Sequence, residues 1–444
     1  MQAQAPDPAP TASTLTTPVF SLRRLPTLVS RTVADGRLTA QLDRVTADGV
    51  LQDATAHTCL AVRDPAGRIL YARQPDDPLI PASALKLVTG AVALDKIGGE
   101  TRLTTEVRAT APPQGGAVAD LWLVGGGDPL LSTAEFAVDG GFADQPRLST
   151  PMEDLAERVV AAGVRTVTGR ILGDDSRYDD QRLVPTWLPR YIANFDVGPI
   201  SALTVNAGYA TLPPAPSYAL SPANLAADVL AAQLRARGVT VGGTGVGQAP
   251  AGARLVTAID SPPLTEVVGS ILQHSDNMAA EMLVKELGVR FGGAGSTAAG
   301  LAVIRDHLAA AGLPLAGVAT VDGSGLDRSD RLTCRLLLDV LAAAGEGSEL
   351  DRALPVAGSN GTLYKRFLGT PAVGKVRAKT GSLLGVVALT GFASGAGASP
   401  GALQFSLLAN ELPSEAVGAA LQDKVASVLA VYPQAPSPDS IGPR

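Results

Sequence analysis

Three short strings in this chain carry side chains able to do acyl-transfer chemistry: Ser83-Ala84-Leu85-Lys86, Ser275-Asp276-Asn277 and Lys379-Thr380-Gly381-Ser382. A serine and a lysine at positions i and i+3 of a helix share one face, so the amine reaches the hydroxyl and can serve as its base. Lysine takes up a proton only when neutral, and a dry site, the positive end of a helix and a second cation all lower its pKa. At the start of such a helix the backbone N–H of Ser83 also faces a developing oxyanion. Each string has a plainer reading when taken alone. A chain of this length contains Ser-x-x-Lys about once by chance. Ser275-Asp276-Asn277 by itself reads as a solvated helical turn, and Lys379 with Gly381 as an edge-strand lysine beside a bulge glycine. In this order, on a helix, a helix and a strand, the three coincide by chance in well under about 1% of chains. Together they predict a serine acyl-transferase with Ser83 as nucleophile and Lys86 as general base.

The Ser83 helix is predicted from Pro81, which suits a first turn, through Leu85, Val88 and Val92 at helical spacing to a stop at Gly98-Gly99. Before it, residues 57–63 and 68–73 form a predicted β-hairpin around Asp64-Pro65-Ala66-Gly67. Ser275-Asp276-Asn277 falls inside one helical run, 264–287, as its polar interruption, while Lys379 lies in an alternating, strand-like stretch, 373–393. Further helices are predicted at 297–311, 332–344 and 414–430, with a strand at 402–408. Between about 100 and 262 the texture changes to strand-like runs punctuated by Gly and Pro, with one clear helix at 224–237. The fold class expected is mixed α/β (α+β): one domain from 29–99 and 263–431, an insertion at 100–262, and Pro-rich tails at 1–28 and 432–444.

A net charge of −6 without any Lys/Arg cluster argues against a nucleic-acid partner. The two cysteines, Cys59 and Cys334, fit no zinc spacing, and three histidines are too few for an obvious metal constellation, so neither metal nor cofactor is expected. The cysteines read as small buried hydrophobes, with a disulfide between them as the alternative. No run approaches the roughly 18 to 20 apolar residues that span a bilayer, so a soluble chain without a membrane segment is expected. Ala3-Gln4-Ala5 has the small-x-small form of a signal cleavage site; the expectation is a mature, extracytoplasmic protein with Met1 added for expression.

The three strings form the signature set of penicillin-binding proteins and serine beta-lactamases. Gly125-Gly126-Gly127-Asp128-Pro129, Pro199-Ile200-Ser201-Ala202-Leu203 and Asp322-Gly323-Ser324-Gly325-Leu326 narrow the match. Over about residues 35–430 the chain resembles the low-molecular-mass class C penicillin-binding proteins, the D-Ala-D-Ala carboxypeptidases of peptidase family S13. That resemblance implies a transpeptidase-like domain, an antiparallel sheet flanked by helices, with one or two smaller strand-rich domains nested between the first and second strings. The interval from Ser83 to Ser275 agrees and is far longer than in a class A beta-lactamase. No Glu-x-x-Leu-Asn string, which those enzymes use to position the deacylating water, follows Asn277.

The resemblance also implies roles. Ser275 relays a proton to the leaving D-alanine nitrogen, Lys379 supplies positive charge, and Asn277 holds an amide carbonyl of the substrate. Thr380 and Ser382, on either side of Gly381, bind the terminal carboxylate, and the N–H groups of Ser83 and Ser382 flank the oxyanion. Asp175 and Arg328 correspond to a pocket for diaminopimelate, a structural salt bridge being the alternative; Ser324, in the same string as Arg328, has turn formation as its alternative. The implied partners are peptidoglycan stem peptides, with beta-lactams as covalent inhibitors. The rival readings are a beta-lactamase or esterase on the same scaffold and a non-catalytic cell-wall-binding protein.

Overall fold

Residues 25–47, 57–139, 147–395 and 401–441 are described by the computed structural model of the chain. The hairpin forms where turn chemistry places it: Asp64 Oδ1 accepts the N–H groups of Ala66 and Arg68 at 3.0 and 2.9 Å, and Gly67 takes a positive φ of 86°. Its strands, Thr58–Arg63 and Ile69–Arg73, end an antiparallel sheet of five whose order continues through Leu403–Ala409 and Val386–Ala393 to Val376–Leu383.

Side chains on these strands alternate between two buried faces. Ala388 and Phe392 join Cys59, Ala61 and Leu408 on one face; Val387 and Leu389 join Leu60, Val62, Phe405 and Leu407 on the other. Both faces must therefore be covered. The first lies under Leu85–Ile97, Leu264–His274, Asn277–Phe291 and Cys334–Ala344. Leu25–Thr46 and Glu415–Ala430 cover the second.

A second, mixed sheet takes all its strands from residues 104–260, in the order Thr240–Val246, Thr166–Asp174, Leu121–Val124, Thr104–Ala109, Arg254–Asp260, with Ala117–Val118 alongside Thr166–Asp174. The expected helix here is Pro222–Ala236. A second one, Met152–Ala161, was not expected: it buries only Met152, Leu155, Ala156 and Val159, one short stripe at helical spacing. Arg177 ties this region to helix Asn277–Phe291, donating to both oxygens of the buried Glu286 at 2.8 and 2.6 Å.

Four expectations change. The run 264–287 is two helices, Leu264–His274 and Asn277–Phe291, broken at Ser275. Helix Leu25–Thr46 starts within the expected N-terminal tail; its buried Ala34, Leu38, Leu42 and Thr46 recur every four residues, a stripe too narrow to stand out in sequence. Residues 1–24, including Ala3-Gln4-Ala5, lie outside the described residues. The C-terminal stretch is held to that helix, with Ser30 Oγ and Arg37 Nη1 donating to the carbonyls of Pro436 and Gln434 at 2.8 and 3.0 Å. Cys59 and Cys334 form a disulfide, joining strand Thr58–Arg63 to helix Cys334–Ala344 across 275 residues of sequence. Among the described residues, no helix is long and apolar enough to cross a membrane.

Candidate active site

Ser83 sits in a single 3-10 turn, Ala82–Ala84, that runs into helix Leu85–Ile97. Two glycines let neighbouring backbone close on this turn. A Cβ at Gly381 would stand 2.8 Å from the Pro81 carbonyl oxygen, and one at Gly325, whose φ is +82°, would stand 1.9 Å from that of Ala82. The Lys379 strand and the Asp322 turn therefore press on Ser83 from two sides.

Lys86 is fully buried, and its Nζ lies 3.0 Å from Ser83 Oγ, 2.6 Å from Asn277 Oδ1 and 2.7 Å from the Ser324 carbonyl oxygen. Two of these neighbours can only accept hydrogen bonds. A neutral amine gives its two N–H groups to them and keeps its lone pair for the Ser83 hydroxyl; a protonated one has nothing left to accept with. The Asn277 amide is oriented by its other end, where Nδ2 donates to the Asp196 carbonyl at 2.8 Å. Burial pushes Lys86 down to about 8, against the opposing pull of the Asp322, Glu281, Asp276 and Asp330 charges.

Ser275 occupies the break between its two helices in a left-handed conformation, φ 56° and ψ 37°, unusual for a residue other than glycine. Asp276 then caps the next helix by accepting the Ala279 N–H at 2.9 Å, which is why the polar interruption ends one helix and begins another. The turn brings Ser275 Oγ within 2.9 Å of Lys379 Nζ. On strand Val376–Leu383, Val376 and Ala378 point into the core beneath Leu25–Thr46, so alternation turns Lys379 and Gly381 toward Ser83. Lys379 also donates to the Thr380 carbonyl at 2.7 Å; burial, and after it the Lys86 charge, hold its pKa well below the ordinary lysine value. This strand is the sheet edge. Its Ala378 N–H goes to the Pro355 carbonyl at 2.9 Å, Thr380 Oγ1 donates to Thr362 Oγ1 at 2.9 Å, and Ser382 is exposed.

Sequence reading missed the buried acids behind Lys86. Asp322 is fully buried and accepts four N–H groups, those of Ser324, Gly325, Asp327 and the Trp187 indole. Glu281 Oε1 accepts the backbone N–H groups of Gly323 and Ser324 at 2.9 and 2.7 Å, so it braces the carbonyl that holds Lys86. Burial, with Asp322 next in importance, raises Glu281 to about 8 and Asp330 to about 10. One signal was available: Glu281 follows Asn277 by four residues and shares its helix face.

The remaining predicted residues are not brought together. Asp175 is paired with Arg182 at 2.6 Å and accepts from Ser201 Oγ at 2.8 Å. Arg328 donates instead to the Leu384 carbonyl at 2.9 Å, just past the Lys379 string. Asp175 is thus paired with Arg182 and not with Arg328. Ser324 is fully buried, and its carbonyl accepts from Lys86 Nζ at 2.7 Å.

The sequence model of the D-Ala-D-Ala carboxypeptidase 3 (S13) family matches residues 38–219 and 217–432. The chain belongs to the S13 peptidase family. Among S13-like relatives, a D-alanyl-D-alanine carboxypeptidase of Actinomadura sp. (strain R39) is 33% identical over 89% of this chain and 85% of its own length. A carboxypeptidase of Mycobacterium tuberculosis (strain ATCC 25618 / H37Rv) is 32% identical over 93% of this chain and 86% of its own. The fold of this S13 member superposes on the crystal structure of penicillin binding protein 4 (dacB) from Haemophilus influenzae with a TM-score of 0.73 at 19% identity, covering 87% of this chain and 99% of that one.

Proposed function

We propose that this S13 peptidase acts as a serine-type D-Ala-D-Ala carboxypeptidase/endopeptidase on peptidoglycan stem peptides and that beta-lactams acylate its Ser83. The observation that carries the assignment of roles is the closeness of Lys86 Nζ to Ser83 Oγ, 3.0 Å, with the Asn277 side-chain oxygen and the Ser324 carbonyl fixing the amine there. Lys86 takes the hydroxyl proton as Oγ attacks the carbonyl of the penultimate D-alanine. The oxyanion forms between the N–H groups of Ser83 and Ser382; one such donor typically contributes about 3–4 kcal/mol to the transition state.

Ser275 then relays to the departing nitrogen the proton that Lys86 took from Ser83, the C–N bond breaks and neutral Lys86 is restored, while Lys379, hydrogen-bonded to Ser275, supplies positive charge beside the relay. Asn277 retains one amide hydrogen beyond its bond to Asp196 and offers it to the substrate's amide carbonyl. The substrate runs along the sheet edge past Ala378, where Thr380 and Ser382, with Gly381 between them, receive the terminal carboxylate. Its arrival beside Lys379 favours the charged ammonium that burial disfavours. Water hydrolyses the Ser83 ester, releasing the trimmed stem. Residues 100–262 form a module nested in the catalytic domain of 29–99 and 263–431, and the protein works outside the cytoplasm, where its substrate lies.

A fluorescent penicillin labels the wild type and not Ser83→Ala, while mass spectrometry detects D-alanine released from a pentapeptide stem by the wild type alone. Equal labelling of both proteins would end this reading.

A further inference from the structure

A cavity of about 140 Å³ lies against Ser275: Ser275, Asp276 and Asn277 line it, and Ser83, Lys86 and Lys379 do not. Asn277 is the partition, with Oδ1 on Lys86 and Nδ2 on the Asp196 carbonyl, one residue from Phe195 in the cavity wall. Three wall residues other than glycine, Phe195, Ala207 and Ser275, have positive φ values of 62°, 51° and 56°. Such strained backbone persists where its surroundings over-determine it, and it clusters at ligand sites. Part of the wall is aromatic: Tyr218 packs on Tyr209 and Phe195 with ring centroids 4.7 and 5.2 Å apart, and its hydroxyl donates to the Phe195 carbonyl at 3.1 Å. Arg147 stands in the same wall as Asp196 and Asp276, so both signs of charge are present.

We propose that this cavity receives the second peptide of a cross-linked substrate, the peptide that departs as the leaving group. The inference rests on the roles proposed for Ser83 and Ser275. In carboxypeptidase action the departing residue is D-alanine, whose methyl needs no further site. In a cross-link the departing nitrogen belongs to a residue that continues into another stem, and the continuation must pass Ser275, which protonates that nitrogen. Cleavage breaks the amide C–N bond, joins the acyl carbon to Ser83 Oγ, and frees the second peptide as an amine. An aromatic wall with opposed charges suits a peptide that carries both free amine and carboxylate.

The test compares wild type, Tyr218→Ala and Arg147→Ala on a pentapeptide stem and on a cross-linked dimer, with fluorescent-penicillin labelling as the measure of an intact site. In both variants the ratio of dimer to pentapeptide kcat/KM should fall about tenfold or more, with labelling retained. An unchanged ratio, including one in which both activities fall together, would overturn the proposal, as would a wild type that takes penicillin and trims the pentapeptide yet leaves the dimer intact. A wild type that takes no penicillin and cleaves neither substrate would instead remove the proposed function, and this inference with it.

Discussion

Because only neutral Lys86 can accept the Ser83 proton, acylation is expected to follow the titration of a lysine held at about 8. At pH 7 about 9% of such a lysine is neutral, against about 0.03% of one at the ordinary value, so burial raises the reactive fraction about 300-fold, equivalent to about 3 kcal/mol. The second-order rate constant for labelling by a fluorescent penicillin should drop about tenfold per pH unit below 8 and level off above about 9. The direction follows from the geometry: protonation fills the lone pair that faces Ser83, so acid inactivates. Labelling measured from pH 6 to pH 9.5, with Ser83→Ala as the blank, reads the profile directly. A rate flat across that range, or one still climbing tenfold per unit at its upper end, would refute the assignment of Lys86 as a base tuned by burial.

Gly381→Ala puts a Cβ 2.8 Å from the Pro81 carbonyl oxygen and 2.9 Å from Ala388 Cβ, so the Lys379 strand must retreat from the Ser83 turn. Labelling should slow by more than about tenfold while thermal unfolding reports a loss of only about 1–3 kcal/mol; a normal labelling rate would show that strand and turn need not touch. Replacing Cys59 and Cys334 by alanine removes a cross-link spanning 275 residues, and denaturant unfolding should show a loss of about 2–5 kcal/mol. Reductant should bring the wild type down toward the variant and leave the variant unmoved, whereas equal sensitivity of the two would contradict the bond.

Much of the site was legible because its chemistry is local. The Ser83 and Lys86 pair needs only one helical turn, and Lys379 needs only the alternation that turns it away from the core side of its strand. Both periodicities are written in the order of residues. The same is true of the hairpin, whose turn is closed by Asp64 acting on its own neighbours. The break at Ser275 was hidden because a left-handed residue and an N-cap leave the apolar spacing on either side in phase, so two helices read as one.

What tertiary structure alone decided are relations between distant segments. Cys59 meets Cys334 because a strand and a helix stack on one face of the sheet, and no spacing between two cysteines announces that. The resemblance set Arg328 beside Asp175, and folding paired Asp175 with Arg182 instead. The fate of the Lys86 proton depends on carbonyls and acids from residues 277–330 closing around it. From the sequence alone, Ser83 could be named as the nucleophile by its company. That its base is kept largely dry, and which of its valences points at Ser83, are consequences of burial and angle that exist only once the chain has folded.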